Sequence, residues 1–238
     1  RILRRGWDLI VDMQGTQRTG TYFSIFVPAK TRWVGIARGC SDPLPDFGLI
    51  SNGLRMRLIA EQAGGVAMET DLAWLTQHGK SASDQLEDVA RAPYAILVSG
   101  CSPTHPQKRW PADHFVQLAR ALVKRGVGVL VVGTPVDQTV VDYICAHCPD
   151  AINLCGKSTL SDLAVLMQRA SFVIGNDTGP MFLAAKTGTP TLVLMGPEGV
   201  PEKIAPVGKL VGWLQCDPID KITVDAVLSE ADRLCLKG

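Results

Sequence analysis

Long apolar runs, histidines and an excess of either charge are all scarce in this sequence, and each scarcity removes a class of function. No apolar stretch approaches the ~20 residues that a helix needs to cross a bilayer. Nor does the start read as a secretory leader. Lys and Arg number 24 against 23 Asp and Glu, a formal net charge of +1. That balance argues against a nucleic-acid binder driven by bulk electrostatics. Of the four histidines, only His147 stands in a zinc-like pattern, Cys145-Ala146-His147-Cys148. No second Cys or His pair lies at a matching distance, so no metal is expected. Cys145 is expected to face the core, and His114 to sit on a helix surface. There is no Gly-x-Ser-x-Gly element, so covalent acyl chemistry has no support. Seven cysteines, an odd number scattered through apolar segments, read as the reduced thiols of a cytosolic protein.

What is present reads as α/β. With 238 residues, 46% apolar and 20% charged, the chain can fill one large domain or two small ones. Trp7 to Val11 and Arg32 to Ile36 read as strands, with a helix over Thr16 to Phe26 between them and a loop from Ala37 to Gly48. Asn52 opens a helix that stops at Gly64-Gly65, and a further helix is expected around Ser83 to Arg91. From Tyr94 strands and helices alternate regularly, which means βαβ units and a parallel sheet. Thr159 and Asp162 are spaced as a capping box. The tail, Thr223 to Leu236, repeats apolar residues at helical spacing. The lobe boundary is placed in the polar stretch 66–92, giving lobes of residues 1–90 and 91–238.

The most informative segment is 171–197. A strand from Phe172 runs into Asn176-Asp177-Thr178-Gly179, a helix follows from Pro180, and a strand over Thr191 to Met195 ends in Gly196-Pro197. Small polar loops at the carboxyl ends of parallel strands build the ligand crevice of open α/β sheets, and a helix start favours an anion such as a diphosphate. Asp177 suits sugar hydroxyls as an acceptor, so a sugar nucleotide is the leading ligand. The loop Ser99 to Pro111 stands at another strand end and offers hydroxyls and the cations Lys108 and Arg109. The dull readings are a helix cap for 177–179 and a solvated basic loop for 99–111. Gly156-Lys157-Ser158 tempts a phosphate-loop reading, but the glycine needed at position 151 is Ala.

These segments carry a family resemblance. Lys108-Arg109-Trp110-Pro111, Gly175-Asn176-Asp177-Thr178-Gly179 through Ala184-Ala185, Gly188-Thr189-Pro190-Thr191 and Gly196-Pro197 resemble the nucleotide-binding lobe of glycosyltransferase family 9, the lipopolysaccharide heptosyltransferases. Trp7-Asp8-Leu9-Ile10-Val11-Asp12-Met13-Gln14-Gly15 is similar to a segment of the family's first lobe. The resemblance implies two Rossmann-like lobes of the glycosyltransferase B fold, an ADP-heptose donor as substrate, no metal and inversion at the anomeric carbon. It places Lys108 and Ser102 on the diphosphate, Asp137 on the ribose, and Asp177, Thr178 and Gly179 on donor phosphate and sugar. Phe182 stands where the family has His. The family's general base comes from a strand, turn and helix preceding this sequence, which starts Arg-Ile-Leu-Arg-Arg rather than Met. The chain is therefore expected to be a fragment with an incomplete first lobe, and Asp12 is the remaining candidate base.

The resulting expectation is an inverting transferase moving a heptose-like sugar to a lipid-linked saccharide such as the lipopolysaccharide core. It would be cytoplasmic, with peripheral contact at the inner membrane through Arg1, Arg4, Arg5, Arg18, Lys30 and Arg32. The alternatives are a catalytically silent sugar-nucleotide-binding module and a nucleotide-sugar epimerase of the same fold.

Overall fold

A computed structural model describes residues 6–26, 30–66, 68, 71–77, 79 and 93–236. The helix expected around Ser83 to Arg91 lies outside them. The chain divides into two compact units, Arg1–Glu69 and Thr70–Gly238.

In the first unit the strands are β1 (Leu9–Val11), β2 (Arg32–Gly35) and β3 (Asp42–Pro43), parallel and in that order. β3 falls inside the stretch expected to be loop. Two interactions make it a strand: Arg32 forks onto Asp42 with two bonds of 2.9 Å, and the Ser41 hydroxyl accepts from Trp33 N at 2.7 Å. α1 (Gln17–Phe26) joins β1 to β2, and α2 (Asn52–Gln62) follows β3, capped by Ser51, whose hydroxyl accepts from Leu54 N. The interior is small. Trp33, Ala37 and Cys40 are buried together, with Ile10 and Phe23 against them.

The second unit holds a six-stranded parallel sheet in the order β6-β5-β4-β7-β8-β9. Its strands are β4 (Tyr94–Val98), β5 (Gly128–Val132), β6 (Ala151–Asn153), β7 (Phe172–Asn176), β8 (Thr191–Met195) and β9 (Val211–Gln215). The helices, in chain order, are α3 (Ala73–Thr76), α4 (Ala112–Lys124), α5 (Gln138–His147), α6 (Leu160–Arg169), α7 (Gly179–Lys186), α8 (Pro201–Ile204) and α9 (Val224–Cys235). Every residue of β4, β7 and β8 is buried. Successive side chains of a strand point to opposite faces. Hence Tyr94, Ile96 and Val98 join one core with Met167 and Met181, while Ala95 and Leu97 join another with Phe115 and Leu118. Burial on both sides explains the unbroken apolar runs that alternation rules would miss. α4 presents Phe115, Leu118, Ala119 and Leu122 at 3.6-residue spacing. The capping box at α6 forms, Thr159 N donating to Asp162 at 2.9 Å and Asp162 N to Thr159 at 3.2 Å. β9 and α8 had no sequence signal strong enough to name them, and α3, from the stretch grouped with the first lobe, packs on α6 in the second unit.

From β4 the chain builds outward through β5 to β6. It then crosses back to lay β7 on the other side of β4, and continues through β8 to β9. The direction reverses between β4 and β7, and ligand sites in open α/β sheets lie at the carboxyl ends of such strands.

Candidate functional site

At this reversal the loop after β4 meets the residues that end β7. Pro106 turns the loop into a single 3-10 turn over Pro106–Lys108, with Lys108 N donating to His105 O at 3.1 Å and Arg109 N to Pro106 O at 3.0 Å. The turn delivers Lys108 Nζ to Asp177 Oδ2 at 2.6 Å. Their side chains are only 22% and 10% exposed, so this pair is far less screened than a surface bridge. Arg109 turns away and donates to Cys101 O at 2.6 Å, bracing the loop instead of facing a ligand.

Asn176, fully buried at the end of β7, ties the same loop down. Its Oδ1 accepts from Trp110 N at 2.9 Å and its Nδ2 donates to Ser99 O at 2.8 Å. The Trp110 ring is itself buried, donating to Ile222 O at 2.9 Å and packing edge-on against Phe115. His114, expected on a helix surface, is half-buried on α4 and sits against that ring as well, with centroids 5.1 Å apart and Nδ1 buried without a partner among the described residues. Next in the chain after Asp177, Thr178 caps α7 with extended backbone and makes no side-chain capping bond. Pro180 has no N–H and Met181 N donates to Thr178 O at 3.1 Å, so the Thr178 hydroxyl and the Gly179 amide are what this helix start offers to something outside it.

Beside this junction opens a cavity of about 520 Å³, walled by Gly100 and Ser102 after β4, Thr134 and Asp137 after β5, Ser158 and Thr159 after β6, and Thr178 after β7. Asp137 lies at its wall, nearly buried, and its Oδ2 accepts from Thr134 N at 3.0 Å and Thr134 Oγ1 at 2.8 Å. Gly100 and Gly133 make room for that carboxylate. A Cβ on Gly100 would stand 2.4 Å from the Asp137 carboxyl carbon, and one on Gly133 would stand 2.9 Å from Asp137 Cβ. Burial pushes the Cys101 thiol up despite the opposing pull of Lys108, and burial first and Asp137 second push up the Cys155 thiol. Both thiols in this region are therefore held protonated near neutral pH.

The structure thus brings Lys108 onto Asp177 and sets Ser102, Asp137 and Thr178 around one cavity, with Gly179 opening the helix beside them. Asp12 lies in the first unit. It is 5% exposed, its Oδ1 accepts from Gln14 N at 3.1 Å and Gly15 N at 2.9 Å, and its Oδ2 is buried without a partner. Arg1, Arg4 and Arg5 lie outside the described residues, and Arg32 is neutralised by Asp42 and so is not a free surface cation. Ser158, Thr159, Leu160 and Val136, all on the cavity wall, were not singled out as ligand contacts from sequence. Cys145 packs partly buried against the core, its thiol pushed up to about 11 by burial. Among the described residues, no group of three or more His, Cys, Asp or Glu is arranged to hold a metal, and no helix is long and apolar enough to cross a membrane.

A six-stranded doubly wound sheet with small polar loops at its switch point places the chain among the open α/β proteins, whose ligands bind at such a point. The comparisons narrow the class. Residues 54–222 match the model of glycosyltransferase family 9 (heptosyltransferase), and the chain belongs to that family. It is 34% identical over 97 residues to lipooligosaccharide heptosyltransferase 2 of Haemophilus influenzae, a match spanning 39% of this chain and 28% of that relative. Among solved structures, the E. coli heptosyltransferase WaaC with ADP superposes at a TM-score of 0.72 and 21% identity, covering 98% of this chain and 75% of that one. The same enzyme with ADP-2-deoxy-2-fluoro heptose gives 0.71 and 19%, covering 98% and 74%. The fold is therefore the α/β, Rossmann-like architecture of these glycosyltransferases.

Proposed function

We propose that the second unit binds a nucleoside diphosphate sugar of the ADP-heptose type and that the protein transfers the sugar, with inversion, to a lipopolysaccharide core or related glycan. The observation that carries this reading is the 2.6 Å contact of Lys108 with Asp177 at the switch point, beside the cavity of about 520 Å³. Lys108, Ser102 and the amides at Thr178 and Gly179 offer hydrogen-bond donors suited to a diphosphate. Such fixed donors stabilise the charge that grows on the departing group as its bond to the anomeric carbon breaks. Asp177 accepts from sugar hydroxyls and holds Lys108 in place, and Asp137 offers its carboxylate to a ribose diol from the cavity wall. In the transfer itself the acceptor oxygen bonds to the anomeric carbon and its proton passes to a carboxylate. Asp12 is the candidate for that base. The donor is a substrate, and the resemblance carries no resident cofactor or metal. Acceptors of this class are lipid-linked, which supports a cytoplasmic location at the inner membrane surface. The printed ligands of the WaaC structures, ADP and a fluorinated ADP-heptose, support the donor class.

A second reading, a module that binds the sugar nucleotide without transferring it, is favoured by two observations. The Asp12 carboxylate is already engaged by the Gln14 and Gly15 amides, and the half-exposed Phe182 replaces a potential donor. Calorimetry with ADP-heptose and with ADP, followed by a transfer assay on an acceptor glycan, separates the readings. Saturable binding with transfer supports the transferase, saturable binding alone supports the module, and no binding of either ligand ends both.

A further inference from the structure

We propose that Asn176 is a positioning residue for this donor site, setting where Lys108 stands relative to Asp177; the inference rests on the donor-site reading above. One buried side chain joins the two stems of the loop that carries Lys108. Ser99, where the loop leaves β4, is held through its carbonyl at 2.8 Å, and Trp110, where it returns toward α4, through its amide at 2.9 Å. Both backbone groups take Asn176 as their partner, and an unpaired buried polar group is costly. Trp110 cannot drift to compensate, because its ring is 2% exposed and its indole N–H is fixed on Ile222 O at 2.9 Å.

The clamp lies close to both ends of the ion pair. Lys108 is two residues before Trp110, with Arg109 N bound back to Pro106 O at 3.0 Å, so the turn transmits the position of Trp110 to Lys108. Asp177 follows Asn176 directly, and its own amide donates to Leu194 O at 3.2 Å on the neighbouring strand. Asn176 therefore references both charged groups to the same sheet. The side chain must be an amide. A carboxylate of the same shape would still accept from Trp110 N, but it would set an oxygen against Ser99 O in a dry site.

A purely structural role would lower the melting temperature and leave the ADP affinity of the folded protein alone. A positioning role predicts a loss that runs through Lys108. The test is calorimetric titration of ADP into the full chain, its Asn176→Asp and Lys108→Ala variants and the double variant, each at a temperature where circular dichroism shows it folded. Asn176→Asp is expected to weaken ADP about tenfold, and to weaken it less than about twofold further in the Lys108→Ala background. Equal losses in the two backgrounds, or wild-type affinity in Asn176→Asp, overturn the positioning role alone. Wild-type affinity in Lys108→Ala overturns the donor-site reading and this inference with it. Where Asn176→Asp does not fold, amide exchange in the unaltered chain decides: the Trp110 N–H is expected to exchange as slowly as the core strands, and exchange at the rate of exposed loops overturns the clamp.

Discussion

Each unit has a parallel sheet and connecting helices, yet the two interiors differ. In the second, β4, β7 and β8 are buried along their whole length and cores fill both faces of the sheet. In the first, three buried residues form the cluster around Trp33, and Trp7, Leu9, Tyr22, Ile25, Leu49 and Leu54 remain exposed. The polar residues at strand ends differ accordingly. Asn176 and Asp177 act across elements, reaching a loop some seventy positions away in sequence. The Asp12 side chain, at the end of β1, accepts from the next turn of its own chain, the amides of Gln14 and Gly15. Placing charged groups to within a few tenths of an ångström requires a scaffold packed on both sides, and the second unit supplies it.

The sharpest way to break this comparison is to excavate each core. Phe115→Ala is expected to cost about 3–5 kcal/mol and to abolish ADP binding with the second unit's fold. Trp33→Ala should cost less, because its small cluster can close around the gap, and should leave ADP binding intact. Chemical denaturation with parallel ADP titration checks both, and equal losses would dissolve the distinction between the units. Within the second unit, Lys108→Ala should weaken ADP by about 10- to 100-fold, the range of a hydrogen bond to a charged group, and should lower the melting temperature as well, because it leaves the Asp177 carboxylate, 10% exposed, without its cation. Asp177→Asn should instead erase the preference for ADP-heptose over ADP, which competitive titration measures. The smallest effect is alkaline. Tyr94, desolvated and donating to Leu166 O, is pushed up to about 12, and Cys145 to about 11, both by burial. The unfolded chain then loses these protons at lower pH than the folded one, so stability should fall between about pH 9 and 12. A melting temperature flat across that range would contradict the burial of these groups.

How much of this was legible beforehand depends on the reach of each interaction. The longer helices of the second unit were readable because local signals agreed: apolar spacing in α4, and Thr159 with Asp162 at α6. The two site loops were readable as strand ends with small residues, and Lys108 meets Asp177 because those loops leave the carboxyl ends of the adjacent strands β4 and β7. β3 escaped notice because a two-residue strand has no periodicity and is defined by Arg32 and Ser41. The role of Asn176 was equally invisible. Its partners are main-chain groups of Ser99 and Trp110, 77 and 66 positions away, and nothing in the sequence records where a backbone amide points. Ser158 was set aside with the failed phosphate-loop pattern and Thr159 was read only as a helix cap, since their approach to the cavity depends on the strand order.

The two glycines packed on Asp137 bear on how this protein can diverge. Any side chain at Gly100 or Gly133 would evict the carboxylate from the cavity floor, so a random substitution library should return almost no functional survivors at either position. Val136 and Leu160, on the same cavity but 66% and 62% exposed, carry no such restriction. New ligand preferences would therefore arise by drift at the rim, over a floor that selection cannot remodel one residue at a time.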